Sequence, residues 1–194
     1  MHSREVLTVD RNNPPTVSAD GMVCGDQDIA LCVTVADCLP VFLLDTESGM
    51  FGLVHSGWKG TGIVLQALER MRKIGGTRVE AVAAILGPCI GSCCYRVDAQ
   101  RAFAFEKEFG VVASAATFES MQENAPPVTR REQCPDGPVW YLDLKAANVR
   151  LLADAGVRNI AVCGDCTFTD TRLGSFRREG QDFTHMAAMI FRKS

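Results

Sequence analysis

The stretch from Thr34 to Gly62, TVADCLPVFLLDTESGMFGLVHSGWKGTG, constrains the fold more than any other part of the chain. Val41 to Leu44 is one unbroken apolar run and Gly52 to Val54 is another, with a turn between them. Paired runs of this kind read as adjacent strands covered on both faces. Pro40 favours an extended residue before it, so Cys38 stands where the first strand begins. His55 closes the second strand at a glycine-rich approach to a helix. One hairpin thus brings a thiol and an imidazole, two soft ionisable groups, to the same end of a rigid floor.

Around this hairpin, Arg4 to Asp10, Asp20 to Cys24 and Ile29 to Val35 read as short strands divided by polar and Pro-containing loops. Helical periodicity at Val64, Leu65, Leu68 and Met71 stops at Gly75-Gly76, and Val79 to Leu86 reads as a buried strand ending in the turn-forming GPCIGSCCYRVD. Asp98 caps a helix to about Phe109. Asp143 caps another whose face is Leu144, Ala147, Leu151 and Ala155. Val139 to Leu142, Ile160 to Cys163 and Met186 to Phe191 read as further strands. Residues 114–138, with Pro126, Pro127, Pro135 and Pro138, read as a functional loop or a crossing element. Strands both in succession and in alternation with helices predict an α+β fold, with a mixed sheet or two packed sheets and helices outside. The 194 residues are 47% hydrophobic with no low-complexity linker, so a single domain over 1–194 is expected.

The formal net charge is −3 and the basic residues are scattered, which leaves no footprint for nucleic acid. No apolar run is long enough to span a membrane and MHSREVLTVD lacks a signal pattern, so a cytoplasmic protein is expected. Nine cysteines without an export signal read mostly as reduced thiols, with Cys24, Cys32 and Cys94 as small hydrophobes. Cys163-Gly-Asp-Cys166 is a CxxC, but no helix opens after it as a redox motif requires. The three histidines are His2, His55 and His185.

Spacing leaves three readings of Cys38 and His55 open. Zinc with one further ligand, for which His2 is the best candidate, would give three protein ligands and a fourth position for water; in that case the other imidazole nitrogen donates to a carboxylate such as Asp37. A metal-free Cys–His nucleophile and plain core packing are the others.

A more specific signal comes from five segments in order: ADCLPV at Ala36 to Val41, HSGWKG at His55 to Gly60, GPCIGSCCYRV at Gly87 to Val97, DCT at Asp165 to Thr167, and SFRREG at Ser175 to Gly180. Together they resemble the multicopper-oxidase-like polyphenol oxidoreductase family, whose members are usually described as zinc-dependent purine nucleoside phosphorylases of the bacterial YfiH type. The resemblance implies two mixed sheets packed between helices, as in the catalytic domain of cytotoxic necrotising factor. It implies one zinc held by His2, Cys38 and His55, with Cys38 and His55 catalytic. It implies small-molecule substrates, purine nucleosides and phosphate, in phosphorolysis and in adenosine deamination. Phosphate then needs an anion site, which Lys59, the glycines of HSGWKGTG at a helix start, Ser175 and Arg177 offer, while Trp58 offers a face for a purine. Copper is the lesser alternative, because phenol oxidation needs several coppers and more histidines. A Cys–His hydrolase or amidase acting on cell-wall precursors is another. The chain departs from the family pattern in beginning one residue before its first histidine, in HSGWKG for HAGWRG, in Arg96 for glutamate and in Thr184-His185 for Gly-Arg.

Overall fold

A computed structural model describes residues 3–12, 14–110 and 128–192. In chain order the strands are Val6–Thr8 (β1), Gly21–Cys24 (β2), Leu31–Val35 (β3), Leu39–Asp45 (β4), Phe51–Ser56 (β5), Val82–Leu86 (β6), Arg96–Val97 (β7), Thr129–Cys134 (β8), Gly137–Leu142 (β9), Asn159–Val162 (β10) and Met186–Ile190 (β11). The helices are Ile63–Gly75 (α1), Ala99–Phe109 (α2), Leu144–Asp154 (α3) and the short Phe176–Glu179 (α4). A six-stranded sheet runs β1-β2-β5-β4-β6-β10 and is mixed, because β1 joins β2 and β10 joins β6 in parallel while the central pairs are antiparallel. β11 pairs β3 in a second sheet, and β7, β9 and β8 make a third. The fold is α+β, as expected.

The pleat sorts β5 between two cores. Val54 joins Val41, Leu43, Ile63, Leu68 and Leu152 in the core under the helices, whereas Phe51 and Leu53 join Leu31, Cys24 and Ala188 beneath the β3–β11 pair. α1 follows from its pattern: Ile63, Val64, Ala67, Leu68 and Met71 are buried on one stripe, and Gly76 ends the helix in the left-handed conformation at φ 66°. Asp98 and Asp143 cap α2 and α3 by accepting from the Arg101 and Ala146 amides at 2.7 and 2.8 Å.

Several expectations need correction. The apolar run in β4 is not covered throughout on its second face: the β3–β11 pair is too narrow to reach Leu44 (38% exposed) or the neighbouring Ile85 of β6 (53%). Val79–Ala81 is a 3₁₀ turn before β6 instead of its first residues. Cys32 is exposed because it points outward from β3, opposite Met189 of β11, while Cys24 is buried. All nine cysteines are free thiols. Of the expected loop at 114–138, the part from 114 to 127 lies outside the described residues; the rest includes β8 and the turn into β9. No helix among the described residues is long and apolar enough to cross a membrane.

The β4–β5 turn carries a buried carboxylate. Asp45, 1% exposed, accepts from the Glu47 and Ser48 amides at 2.9 and 3.1 Å and from Ser48 Oγ at 2.5 Å. Burial works against its charge, but these donors outweigh it and hold the carboxyl below its ordinary range. Its stabilisation is therefore fully present above the unfolded-state pKa and is lost as pH falls through the folded-state one, in the region below about pH 4. Asp45→Ala is expected to cost about 1–3 kcal/mol in urea denaturation at neutral pH. Asp45→Asn should flatten this acid limb. Equal acid sensitivity in Asp45→Asn and the unmodified chain would remove Asp45 from that role.

Candidate functional site

The site forms where the β4–β5 hairpin ends. Leu39 lies opposite Ser56 and Pro40 opposite His55, so the register carries Cys38, one residue before β4, to the end where His55 stands. Asp37 precedes it with φ 76°, a left-handed conformation that Asp adopts more readily than most residues. Its carbonyl accepts from the Ile90 amide at 2.9 Å, its Oδ1 from Thr167 Oγ1 at 2.6 Å and its Oδ2 from the Arg177 amide at 2.6 Å. One residue thereby ties three later segments to the hairpin.

His55 is held by Asp20, which sits just before β2. The His55 amide donates to the Asp20 carbonyl at 2.7 Å, and Nδ1 lies 3.2 Å from Asp20 Oδ1. Asp20 Oδ2 accepts from the Ser3 amide and hydroxyl at 2.5 and 2.7 Å. Burial opposes ionisation of Asp20, but Ser3 and His55 hold its carboxyl below the usual range. The carboxylate beside His55 is thus Asp20 and not Asp37, whose oxygens are committed to Thr167 and Arg177.

Cys38, His55 and Asp37 line one cavity of about 480 Å³. Trp58, Tyr95, Phe176 and Phe183 supply aromatic walls, and Arg101, Arg177 and His185 bring cationic or ionisable groups. The rings are locked by contact: Phe176 and Phe183 meet edge-on at 5.2 Å, and His185 lies 4.3 Å from Phe183. The Arg101 guanidinium lies 4.6 Å from the Trp58 ring centre; that of Arg177 lies 5.5 Å from Tyr95 and donates to the Arg96 carbonyl at 2.8 Å. Burial, then the Asp37 and Asp20 charges, push the Cys38 thiol up to about 12. Without a cation beside it, this thiol keeps its proton at neutral pH.

Of the residues singled out from sequence, Cys38, His55, Trp58 and Arg177 line this cavity, and His2 lies outside the described residues. Lys59 is not among the lining residues; its ammonium stands 5.4 Å from the Trp58 ring centre. The helix expected near Gly60 starts at Ile63, after Gly62 in the left-handed conformation at φ 98°. Ser175 is fully buried and outside the lining: its Oγ accepts from the Arg178 amide at 3.2 Å and caps α4. Arg178 in turn donates to the carbonyls of Thr167, Phe168 and Leu173, which pins the late loop against the site. Asp20, Tyr95, Arg101, Phe176 and Phe183 escaped the sequence reading. Tyr95 and Phe176 had a usable signal, their places inside GPCIGSCCYRV and SFRREG.

The donor set suits a thiophilic divalent ion. A thiol and an imidazole share the cavity, a carboxylate fixes the imidazole, and the anionic surroundings of Cys38 favour replacing its proton by a metal cation.

The chain is similar to known proteins over nearly its whole length. A family model described as multi-copper polyphenol oxidoreductase laccase matches residues 1–193. A purine nucleoside phosphorylase of Mycobacterium tuberculosis is 34% identical over 182 residues, which are 92% of this chain and 65% of that protein; one of Borreliella burgdorferi is 33% identical, over 99% of this chain and 76% of its own length. An adenosine deaminase from an unknown prokaryotic organism is 31% identical over 96% of the chain. The chain thus spans about two thirds, 65%, of the length of the mycobacterial relatives. The crystal structure of the Bacillus licheniformis hypothetical protein YfiH superimposes with a TM-score of 0.82 at 26% identity, covering all of this chain and 72% of that one; YlmD of Geobacillus stearothermophilus gives 0.78 at 26%. With its hairpin thiol and imidazole and a match over nearly its whole length, the chain belongs to the multi-copper polyphenol oxidoreductase laccase family, among whose relatives here are proteins named purine nucleoside phosphorylase and adenosine deaminase.

Proposed function

We propose that the chain acts on purine nucleosides, cleaving them with phosphate and deaminating adenosine, with zinc held by Cys38, His55 and His2. The observation that carries this reading is one cavity lined by a thiol, an imidazole, four aromatic rings and two arginines. Trp58, Tyr95 and the Phe176–Phe183 pair offer flat apolar faces for a purine. Arg177 and Arg101 offer planar cationic forks for an oxyanion, and Lys59 would act on the same anion as a point charge from outside the lining. Asp20 orients His55, and Asp37 holds the wall that presents Arg177. When bound, zinc supplies the means to acidify a water to a pKa near 7 for attack on the purine C6.

Relatives named for both activities support a pocket that serves both. The two reactions ask for different substrate poses, since deamination works at the exocyclic amine and phosphorolysis at the ribose C1′. Phosphate is therefore expected to suppress inosine formation as it raises release of adenine. Chromatography of the products from adenosine, in metal-free and zinc-restored protein over a phosphate series, checks this. Inosine formation undiminished by metal removal would overturn the zinc reading in favour of a Cys–His hydrolase. The high pKa of Cys38 argues against that alternative, because a protonated thiol is a poor nucleophile.

A further inference from the structure

Away from His55, three cysteines meet that no part of the proposed chemistry uses. Cys93 and Cys94 come from the turn between β6 and β7, and Cys166 from the segment after β10; their sulfurs all lie within 4.8 Å of one another. Cys93 and Cys94 sulfurs are 3.4 Å apart. The CxxC partner Cys163 is turned elsewhere, toward Asp165 Oδ2 at 3.3 Å. Chain spacing would pair Cys163 with Cys166; the fold replaces that pair with a trio.

We propose that Cys93, Cys94 and Cys166 form a second metal site, for a thiophilic d¹⁰ cation, zinc or monovalent copper, held by three thiolates with a solvent-facing fourth side. Thiolates about 2.3 Å from a tetrahedral zinc are about 3.8 Å apart, so the observed separations need only small side-chain adjustment. Soft thiolate donors select zinc or monovalent copper over harder ions.

The surroundings are shaped for the sulfurs. The Gly91 amide donates to Cys166 Sγ at 3.2 Å, and Gly91 lacks the Cβ that would stand 3.2 Å from Cys93 Sγ and 3.5 Å from Cys166 Sγ. A parallel bridge between Cys89 and Cys166 joins the two segments, with the Thr167 amide donating to the Cys89 carbonyl at 3.1 Å. Burial raises the Cys166 thiol, but amides of Gly91, Thr169 and Phe168 bring it down to about 7. Cys94 is pushed up to about 12, by burial first and then by its sulfur neighbours. Ionising Cys94 beside these sulfurs is the cost that a bound cation would offset. Cys93 is exposed, which gives a metal its path in.

The site also has a structural consequence. Its ion would clamp the segment carrying Ile90 and Tyr95, which line the cavity described above, to the one whose Thr167 bonds the lining residue Asp37. This second site does not depend on the purine nucleoside reading.

The test uses the whole chain, reduced and stripped of metal anaerobically, then titrated with Zn²⁺, with Co²⁺ as a spectroscopic probe and with Cu⁺ under a competing chelator. Because loss of an outer partner alone weakens metal binding by about 10- to 100-fold, Cys93→Ser is expected to weaken this binding by at least about 100-fold and to diminish the thiolate-to-cobalt absorption. Cys38→Ser should keep this ion. Since Cys93 is exposed, its serine variant should retain the fold, as circular dichroism would verify; Cys166→Ser is the second variant. Retention of Zn²⁺ or of Cu⁺ against the chelator, lost in Cys93→Ser, supports the site and shows which of the two ions it holds more tightly. Equal affinity and spectra in the unmodified chain, Cys93→Ser and Cys166→Ser would overturn the proposal. So would a reduced protein that binds no metal here while air oxidises two of the three thiols to a disulfide and leaves the third free.

Discussion

Cys38→Ser and His55→Ala are each expected to lower adenosine turnover by about 100- to 10,000-fold, the range that removal of one acting group from a catalytic site costs. Each should also remove the ion of this site, read by metal analysis after dialysis. The two effects are linked by the state of the thiol. Burial and two carboxylates keep Cys38 protonated on its own, so its contribution as a ligand exists only when a cation displaces that proton. Asp20→Asn separates orientation from ligation: it leaves both donors in place but weakens the acceptor at Nδ1, and should cost about 10- to 100-fold in metal affinity. Full turnover and full metal content in Cys38→Ser would sink the assignment of this centre. Full metal content with no turnover in His55→Ala would recast the imidazole as a proton carrier.

The hairpin that builds this centre was legible because its information is local. Apolar runs at Val41 to Leu44 and Gly52 to Val54, with Pro40 and the glycines, set both strands and placed Cys38 and His55 at their ends. The aspartate caps of α2 and α3 were legible for the same reason. β8 was not, since its exposed Arg130–Gln133 run has no alternation to detect. Nor was the choice between two carboxylates: Asp37 is adjacent to Cys38 in sequence, but only the pairing of β2 with β5 brings Asp20 to His55. Ser175 shows the reverse failure. It stands in a polar motif and was expected at an anion site, yet it is buried as the cap of α4 while Arg178 binds the carbonyls of the late loop.

Asp37 is where the local and the distant parts of the site meet, and its replacement is the second large effect expected. Asp37→Ala loses a charged acceptor for Thr167 and Arg177 and puts an ordinary residue into a left-handed conformation, for a combined cost of about 3 kcal/mol, or roughly 100-fold in kcat/KM. Asp37→Gly restores the backbone freedom without the carboxylate, and Asp37→Asn keeps an oxygen acceptor in a residue that tolerates the same φ. If the carboxylate matters by holding the wall, Gly should resemble Ala, Asn should recover most of the loss, and the change should fall on KM because Phe176 and Arg177 are lining residues carried by that wall. If backbone strain were the main term, Gly would recover and Asn would add nothing beyond it. Thermal denaturation of all three variants supplies the control: a melting shift shared by Ala and Asn but with kinetics intact would place Asp37 in the fold alone. Loss of kcat in every variant at unchanged KM would instead bring its carboxylate into the reaction, beside the thiol it precedes.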